Sequence, residues 1–516
     1  MTEIYYLFIF ILCLISIFII RPINPISRIH LPPSPPAIPV IGHLHLLTST
    51  LYKSFHSLSS KYGPLLFLRF GSSSCLLVSS ASVASEIFKT YDFVFSSRPI
   101  FAFADKLPYG NSGFITAPYG DYWRFMKKLC VTELLGPRQL ERSKSIRDEE
   151  IKRFLLKVFE NAHRSKEIDV GAELMKLTNN VTCRMVMSSR CSEKDDEAER
   201  IRELVKESFE LAAKLCFGDV LGTLKRLTFW VYGKQAMDVS RRYDELLERV
   251  LKEHEEKKGR RIGGVENEER DLMDILLEVY QDDKAEFKIT RTHIKAFFMD
   301  LFIAGTDTSA EAMQWAIAEL INHPEVFIKV REEIELVTGN NRLVEESDMP
   351  NLPYLQAVVK ETLRLYPPGP VTTRECRQNC KVRGYDIPAK TAVAINLYAI
   401  MRDPDSWDDP NEFRPERFLV SLKEQYKLED NQNDTKGQNF NFIPFGAGRR
   451  GCPGTTLAFN LMNTTVAAMV QCFNWKVSRD GKGVKVDMHS GPGMSLSMAH
   501  PLISLPVVNF DPYGSM

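Results

Sequence analysis

The sequence predicts a mainly α fold with a minor β region, preceded by an N-terminal transmembrane helix. Three observations lead there. From about residue 140 to 375 apolar residues recur at helical spacing, short Leu-, Phe- and Val-rich stretches of strand length lie toward the two ends, and Ile4–Ile20 is an uncharged apolar run broken only by Ser16. Helical periodicity over most of a chain, with few strands, argues packed helices carrying a small sheet.

The N-terminal run is at the lower edge of what crosses a bilayer as a helix. Glu3 precedes it and Arg21 and Arg28 follow it. That basic flank places the C-terminal side in the cytosol. A signal peptide would carry a basic segment before the apolar run and a small-residue cleavage site after it. Neither is present, so residues 1–30 are expected to be an uncleaved single-pass anchor with its flank. Residues 31–40 hold Leu31-Pro-Pro-Ser-Pro-Pro-Ala-Ile-Pro39. Proline fixes φ and stops helix propagation, so this segment is a stiff extended hinge. The rest, 41–516, shows no internal repeat and no Gly/Ser linker, and is expected to be one large domain.

Within that domain, Pro64–Phe70 and Ser74–Ser79 have strand length and composition. Helices are expected at Ser145–Glu160, Glu197–Leu215, Asp238–Lys258, Asp271–Gln281, Thr292–Asn322 and Pro324–Thr338. Lys257–Arg270 is a charged connector, Glu424–Gln438 a polar surface insertion, and short strands return near Leu496–Leu505.

Of the 516 residues, 44% are hydrophobic and 26% charged, which is ordinary for a globular chain with a large core. The 66 basic and 66 acidic residues cancel, so nucleic acid is not an expected partner. The ten cysteines follow no regular spacing. Cys376 and Cys380 are the closest pair, with no second pair or histidine at zinc-site spacing. A reduced, cytosol-facing domain follows. The glycosylation sequons at Asn180, Asn433 and Asn463 are then chance matches.

The chemistry concentrates in residues 442–454, Phe-Ile-Pro-Phe-Gly-Ala-Gly-Arg-Arg-Gly-Cys-Pro-Gly. Phe445, Gly448, Arg450, Cys452 and Gly454 fall in the pattern F-x-x-G-x-R-x-C-x-G. Its glycines let the backbone turn tightly and approach a flat ligand. Cys452 directly precedes a helix-like run, Thr455–Met469. Free N–H groups at a helix N-terminus favour thiolate over thiol. A thiolate can ligate iron, and as an axial ligand it favours O–O cleavage. On these residues the chain resembles the cytochrome P-450 superfamily of haem-thiolate monooxygenases, and the resemblance extends over nearly the whole chain. It implies the cytochrome P-450 fold, haem b (iron protoporphyrin IX), Cys452 as axial ligand, Phe445 beside it, and Arg450 on a haem propionate.

Ala304-Gly-Thr-Asp-Thr-Ser309 lies inside a long apolar helix, with Phe297, Leu301, Ala304, Gly305 and Thr308 on one stripe. Small residues there leave room for a flat cofactor and dioxygen. Asp307 and Thr308 form an acid–alcohol pair suited to delivering protons to reducing oxygen. The segment resembles the superfamily's own, so Asp307 and Thr308 are the expected catalytic residues.

Glu361 and Arg364 stand one helical turn apart, and Phe413-Arg-Pro-Glu-Arg-Phe418 follows. The resemblance implies a buried structural triad of Glu361, Arg364 and Arg417. Trp123 and Lys127 occupy the first and last places of a segment that reads W-x-x-x-R in the family. Here the last place is lysine, which pairs as a point charge without a guanidinium fork. Arg374 is a further propionate candidate by position. The bases Lys127, Lys128, Arg138 and Arg449 suit either a solvated face or a docking surface for the NADPH-cytochrome P-450 reductase that the resemblance implies.

The pocket is expected to include Phe101, Phe103, Phe217, Phe297, Leu301, Ala304 and Val371, which suit a bulky apolar substrate. Other expected pocket segments are Ser208–Phe217 and Pro492–Ser495. Tyr119-Gly-Asp-Tyr-Trp-Arg124, Asp348–Gln356 and Phe302–Thr308 resemble the plant microsomal A-type group of the endoplasmic reticulum membrane. Such relatives oxidise pentacyclic triterpenoids, flavonoids or isoflavonoids. The expectation is a friedelin-like triterpenoid methyl oxidised to alcohol or acid, with a flavonoid or isoflavonoid hydroxylase as the alternative. A haem-thiolate isomerase or dehydratase that needs no reductase is the alternative class.

Overall fold

The computed structural model describes residues 29–100, 109–110, 112–190, 203–205, 207–208, 211, 225–261, 271–339, 341–419, 440–477 and 485–514. The expected anchor, most of Glu197–Leu215 and the Glu424–Gln438 insertion lie outside these residues. Among the described residues no helix is long and apolar enough to cross a membrane.

The principal helices are α1 (Leu51–Tyr62), α2 (Asp121–Leu129), α3 (Lys144–His163), α4 (Val170–Met187), α5 (Lys225–Arg261), α6 (Leu272–Gln281), α7 (Arg291–Asn322), α8 (Pro324–Thr338), α9 (Pro353–Leu365) and α10 (Thr455–Cys472). The helix expected from Asp238 begins earlier, at Lys225, and continues past Lys257 into the charged stretch. Its heptad of buried Val239, Tyr243, Leu247 and Val250 carries it through charges that alone suggest a connector.

The centre of the molecule is α7. Thr290 caps it, accepting from His293 N–H at 3.2 Å while the His293 ring bonds back to Thr290 N–H at 3.1 Å. Phe297, Phe298, Phe302, Met313, Trp315 and Ile317 are buried over more than half of its circumference, and Asp300 and Glu311 are buried on the remaining face. A helix buried on so many sides belongs in the middle of a core, and α4, α9 and α10 pack against this one. The turn at His323 and Pro324 closes α7 and starts α8, since proline fits the first helical position but not the interior.

The β region is small. β1 (Leu65–Phe70) and β2 (Ser73–Val78) are the two expected strands, and they pair as an antiparallel hairpin. β2 runs parallel to β7 (Ala392–Asn396), which pairs antiparallel with β4 (Val371–Glu375), giving the order β1-β2-β7-β4. β5 (Cys380–Val382) and β6 (Tyr385–Ile387) make a separate hairpin, and β3 (Ile168–Asp169), β9 (Ile503–Val508) and β8 (Phe473–Lys476) a third sheet. The strand expected near Leu496 starts only at Ile503; Leu496 is instead tied to α7, its carbonyl accepting from Trp315 Nε1 at 2.8 Å. Asn180 and Asn463 are buried inside helices, as expected of sequons that carry no sugar.

Candidate active site

Cys452 stands at the mouth of α10. Its N–H donates to Phe445 O at 3.0 Å, closing the loop on itself. Gly448 turns that loop at φ +69°, where a Cβ would lie 2.3 Å from Asp92 Oδ1. The same carboxylate accepts from Arg449 N–H at 2.9 Å and pairs with its guanidinium at 3.0 Å. The glycine is therefore required twice, by the left-handed backbone and by Asp92. The Gly454 N–H, the Thr455 hydroxyl and Lys127 all draw the Cys452 thiol toward thiolate. Burial outweighs them and leaves it above its ordinary value. The helix N-terminus favours the thiolate as expected but is opposed by burial, and a bound metal cation would add to the deprotonation.

Cys452 opens onto a cavity of about 550 Å³, within the range that holds a small organic molecule. Its wall includes Trp123, Lys127, Leu301, Ala304, Thr308, Val371, Phe445 and Arg450, so most of the expected site residues come together. Arg374 is buried beside them. Phe297 is not on the wall. It lies behind Phe114, edge to face at 5.8 Å, and Phe114 takes its place. Phe101, Phe103 and Phe217 lie outside the described residues, as do the later residues of Ser208–Phe217.

One edge of the cavity is strongly cationic. Arg450 donates to Ser96 O at 2.7 Å and Ala117 O at 2.5 Å, and its guanidinium stands 4.3 Å from the centre of the Trp123 ring. Arg374 donates to Thr372 Oγ1 and Thr373 O, each at 2.8 Å. Arg98, which sequence reasoning missed, reaches Thr373 Oγ1 at 3.4 Å. Among the described residues each keeps one buried nitrogen without an acceptor: Nε of Arg98, Nη2 of Arg374 and Nη1 of Arg450. Burial, followed by repulsion from Arg98, holds Arg450 down to about 9 and Arg374 well below the usual guanidinium range. Buried donors without acceptors and converging like charges ask for an anion. Lys127 is not a member of a solvated face. Its ammonium lies 3.2 Å from Gly451 O and clamps the cysteine loop to α2.

The opposite wall is α7. Gly305 does line the cavity, but its lack of a side chain answers to α4, since a Cβ there would sit 2.5 Å from Thr182 Oγ1. At the same crossing Thr178 Oγ1 donates to Thr306 O at 2.5 Å and Asn179 Nδ2 to Thr306 Oγ1 at 3.1 Å. Thr308 faces the cavity, with its hydroxyl donating to Ala304 O at 2.8 Å. Asp307 turns aside from the wall, and burial raises its carboxyl above the usual range. One turn on, Glu311 is buried and raised still more plainly, by burial and by Asp307.

Asp300 is a second acid the sequence reading missed. It accepts from Ile115 N–H at 2.9 Å, fastening residues 113–117 over the cavity. Burial lifts it to about 7 despite that bond and the nearby Arg98. The signal was available: Asp300, Asp307 and Glu311 share one face of a helix that is otherwise apolar there. A raised carboxyl pKa means the folded state holds a proton the unfolded state has lost. Its contribution to stability is complete below the unfolded value of about 3.9 and gone once pH passes about 7. Asp300→Asn is expected to flatten the thermal midpoint across that window. A midpoint still falling as steeply as the parent's would remove Asp300 as the titrating group.

The triad assembles around the same centre. Glu361 takes Arg364 in a two-point contact at 2.7 and 2.8 Å and Arg417 at 3.2 Å, and accepts Arg414 N–H at 2.9 Å. Glu361 and Arg364 are wholly buried. Arg417 lies in the turn Pro415–Phe418, and the Phe418 ring packs on Phe442 at 4.9 Å. The triad thereby reaches the start of the cysteine loop.

A flat, dianionic, metal-bearing group would satisfy both ends of this cavity, with the thiol taking the metal and the guanidiniums the carboxylates. That defines a haem-thiolate site, and the donor set fits it. A family model described as Cytochrome P450 matches residues 32–506, so the chain belongs to the cytochrome P450 family of monooxygenases, whose cofactor is a haem iron. It is 48% identical over 94% of its length to cytochrome P450 705A22 of Arabidopsis thaliana, covering 92% of that protein. It is 43% identical to beta-amyrin 24-hydroxylase of Glycine max, with 99% of each chain covered. Identity to 3,9-dihydroxypterocarpan 6A-monooxygenase of Glycine max is 42%, over 98% of this chain and 99% of that one. A zebra fish cytochrome P450 solved with progesterone superposes with a TM-score of 0.73 at 27% identity, over 89% of this chain and 99% of that one.

Proposed function

We propose that this chain is a monooxygenase of the endoplasmic reticulum membrane that oxidises a methyl group of a pentacyclic triterpenoid. The carrying observation is the cavity wall beyond the cationic edge. Among the described residues it carries no fixed charge apart from Asp300, which is held by backbone N–H, and is built from residues such as Phe114, Leu301, Ile303, Ala312, Val371 and Leu397. Such a wall suits a large hydrocarbon skeleton better than a polyphenol, whose hydroxyls would lose hydrogen bonds to water on entry. The beta-amyrin relative acts on a molecule of this kind. The pterocarpan relative is almost equally similar and keeps a phenolic substrate as the second reading.

Haem b, held through Cys452 and the guanidiniums, supplies oxygen activation and insertion into a C–H bond. The chain's residues do the rest. Cys452 gives up its proton and holds the metal. Arg98, Arg374 and Arg450, with Trp123 beside them, orient the cofactor through its carboxylates. Leu301, Ala304 and Val371 exclude water and shape the substrate's approach. Thr308 passes protons into the cavity, and Asp307 restores them. Residues 1–30 anchor the domain, 31–40 set its tilt, and 41–516 carry the chemistry. An NADPH-cytochrome P450 reductase delivers the electrons, and its docking is steered by charge toward Lys128, Arg138 and Arg449.

The test is expression in yeast microsomes with a plant reductase and NADPH. Pooled triterpenoids, including friedelin and β-amyrin, are offered beside pooled flavonoids and isoflavonoids. A triterpenoid gaining oxygen, with product mass showing alcohol or acid, is expected. Products from the phenolic pool alone would overturn the triterpenoid assignment. In the active system Thr308→Ala is expected to lower product formed per NADPH and release peroxide; unchanged coupling would take Thr308 out of the proton path.

A further inference from the structure

The oxygen wall of α7 holds a titratable group that the acid–alcohol pair does not use. Glu311 lies one turn beyond Asp307, and the two carboxyls are within hydrogen-bonding reach. Glu311 is 8% exposed, and no cation pairs with it among the described residues. Its Oε2 is buried without an N–H or hydroxyl donor among the described residues. Its Oε1 accepts from Ser495 Oγ at 3.5 Å. Ser495 was expected on the pocket wall, but its hydroxyl faces Glu311 instead. Its neighbour Met494 is 46% exposed, so this loop reaches the surface. Tyr52 of α1 also feels Glu311, and its hydroxyl donates to Ser490 Oγ at 2.7 Å.

Two carboxyls buried one turn apart without a cation cannot both ionise cheaply. They are stable as a pair holding one proton, in which the protonated member donates to the other. An apolar residue at 311 would fill the space without that constraint.

We propose that Glu311 is a positioning residue for Asp307: the two carboxyls share one proton across a turn of α7, Glu311 hands it to Asp307, and the Ser495 hydroxyl refills Glu311 from the surface loop. One proton enters at Ser495 for each that leaves through Thr308, and no electrons move along this route. The assignment rests on the reading that Asp307 and Thr308 deliver protons. It adds the source from which Asp307 is recharged. It also explains the burial of Glu311, because a reservoir must keep its proton at cytosolic pH while its partner gives one up.

The experiment compares Glu311→Gln, Asp307→Asn and Ser495→Ala in full-length protein whose reduced carbon monoxide spectrum matches the parent. Product per NADPH is followed against pH, together with substrate affinity from the spin-state titration. Infrared difference spectra of the resting protein follow the protonated-carboxyl band. Glu311→Gln is expected to lower coupling several-fold at neutral pH and recover it toward acid pH. Substrate affinity should stay unchanged and the carboxyl band should shrink. Ser495→Ala should shift coupling in the same direction by less. If Asp307→Asn uncouples while Glu311→Gln keeps the parent's coupling, pH profile and band, the reservoir is wrong and the acid–alcohol pair stands. If neither variant uncouples, proton delivery by Asp307 fails and the reservoir falls with it.

Discussion

Cys452→Ala is expected to abolish turnover and erase the thiolate signature of the reduced, carbon monoxide-bound protein, with helix content held near the parent's. The backbone of the loop does not depend on the sulfur. The bond from Cys452 N–H to Phe445 O and the Gly448 turn over Asp92 survive the change. What is lost is the group that faces the cavity, toward which the Gly454 N–H, the Thr455 hydroxyl and the Lys127 charge are all directed. Among the described residues no neighbour can replace it: Cys130, the other described cysteine on the wall, is buried and its thiol is pushed up to about 12. Cys452→Ser separates the two demands on this position. It keeps a polar atom in place but offers an alkoxide far harder to form than a thiolate. Turnover with a thiolate-type spectrum in either variant would show that another residue holds the iron.

Glu361→Ala is expected to destabilise the domain by about 3–5 kcal/mol, the usual result of leaving a buried charge without its partner. Four N–H donors converge on this carboxylate, two from Arg364 and one each from Arg417 and the Arg414 backbone. Arg364 would retain its bonds to the carbonyls of Met401, Pro410 and Glu412, but none of these carries a charge. The damage should spread along the packed path from Arg417 through Phe418 to Phe442. Cofactor retention should therefore fall together with stability. Unfolding followed by circular dichroism and by the haem band measures both. Adding Arg364→Met to the variant should recover part of the loss by removing the stranded charge. A cost under about 1 kcal/mol, the size of an exposed pair, would show that the network is not the brace its burial implies.

Much of this was legible in the sequence because it is written in local spacing. Pro324–Thr338 begins and ends where the proline and Gly339 place it. Strands β1 and β2 fall within a residue or two of their expected bounds, and the cysteine loop and the Thr308 segment face one cavity. Contacts between distant segments were not legible. Gly305 reads as space for a cofactor until α4 is seen to cross it. Arg98 has no motif around it, and only folding brings it beside Arg374 and Arg450. Phe297 shares the helical stripe of Leu301 and Ala304, yet Phe114 from another segment screens it. Asp300 and Glu311 were different. Their acid pattern in an apolar helix was visible, and a strict accounting of buried charge would have flagged both.

The convergence of Arg98, Arg374 and Arg450 has a consequence for the life of the protein in the cell. Three guanidiniums held together out of water penalise the folded chain, and two carboxylates of a haem bound between them would relieve that penalty. The cofactor would then be a chaperone as well as a reagent. At a hundredfold excess over its dissociation constant, a ligand that binds only the folded state adds about 2.7 kcal/mol. Chains synthesised faster than haem is supplied would be the first to unfold and be degraded. If these guanidiniums hold the haem carboxylates, the abundance of the enzyme would be tied to the cell's haem supply through side chains that take no part in oxidation.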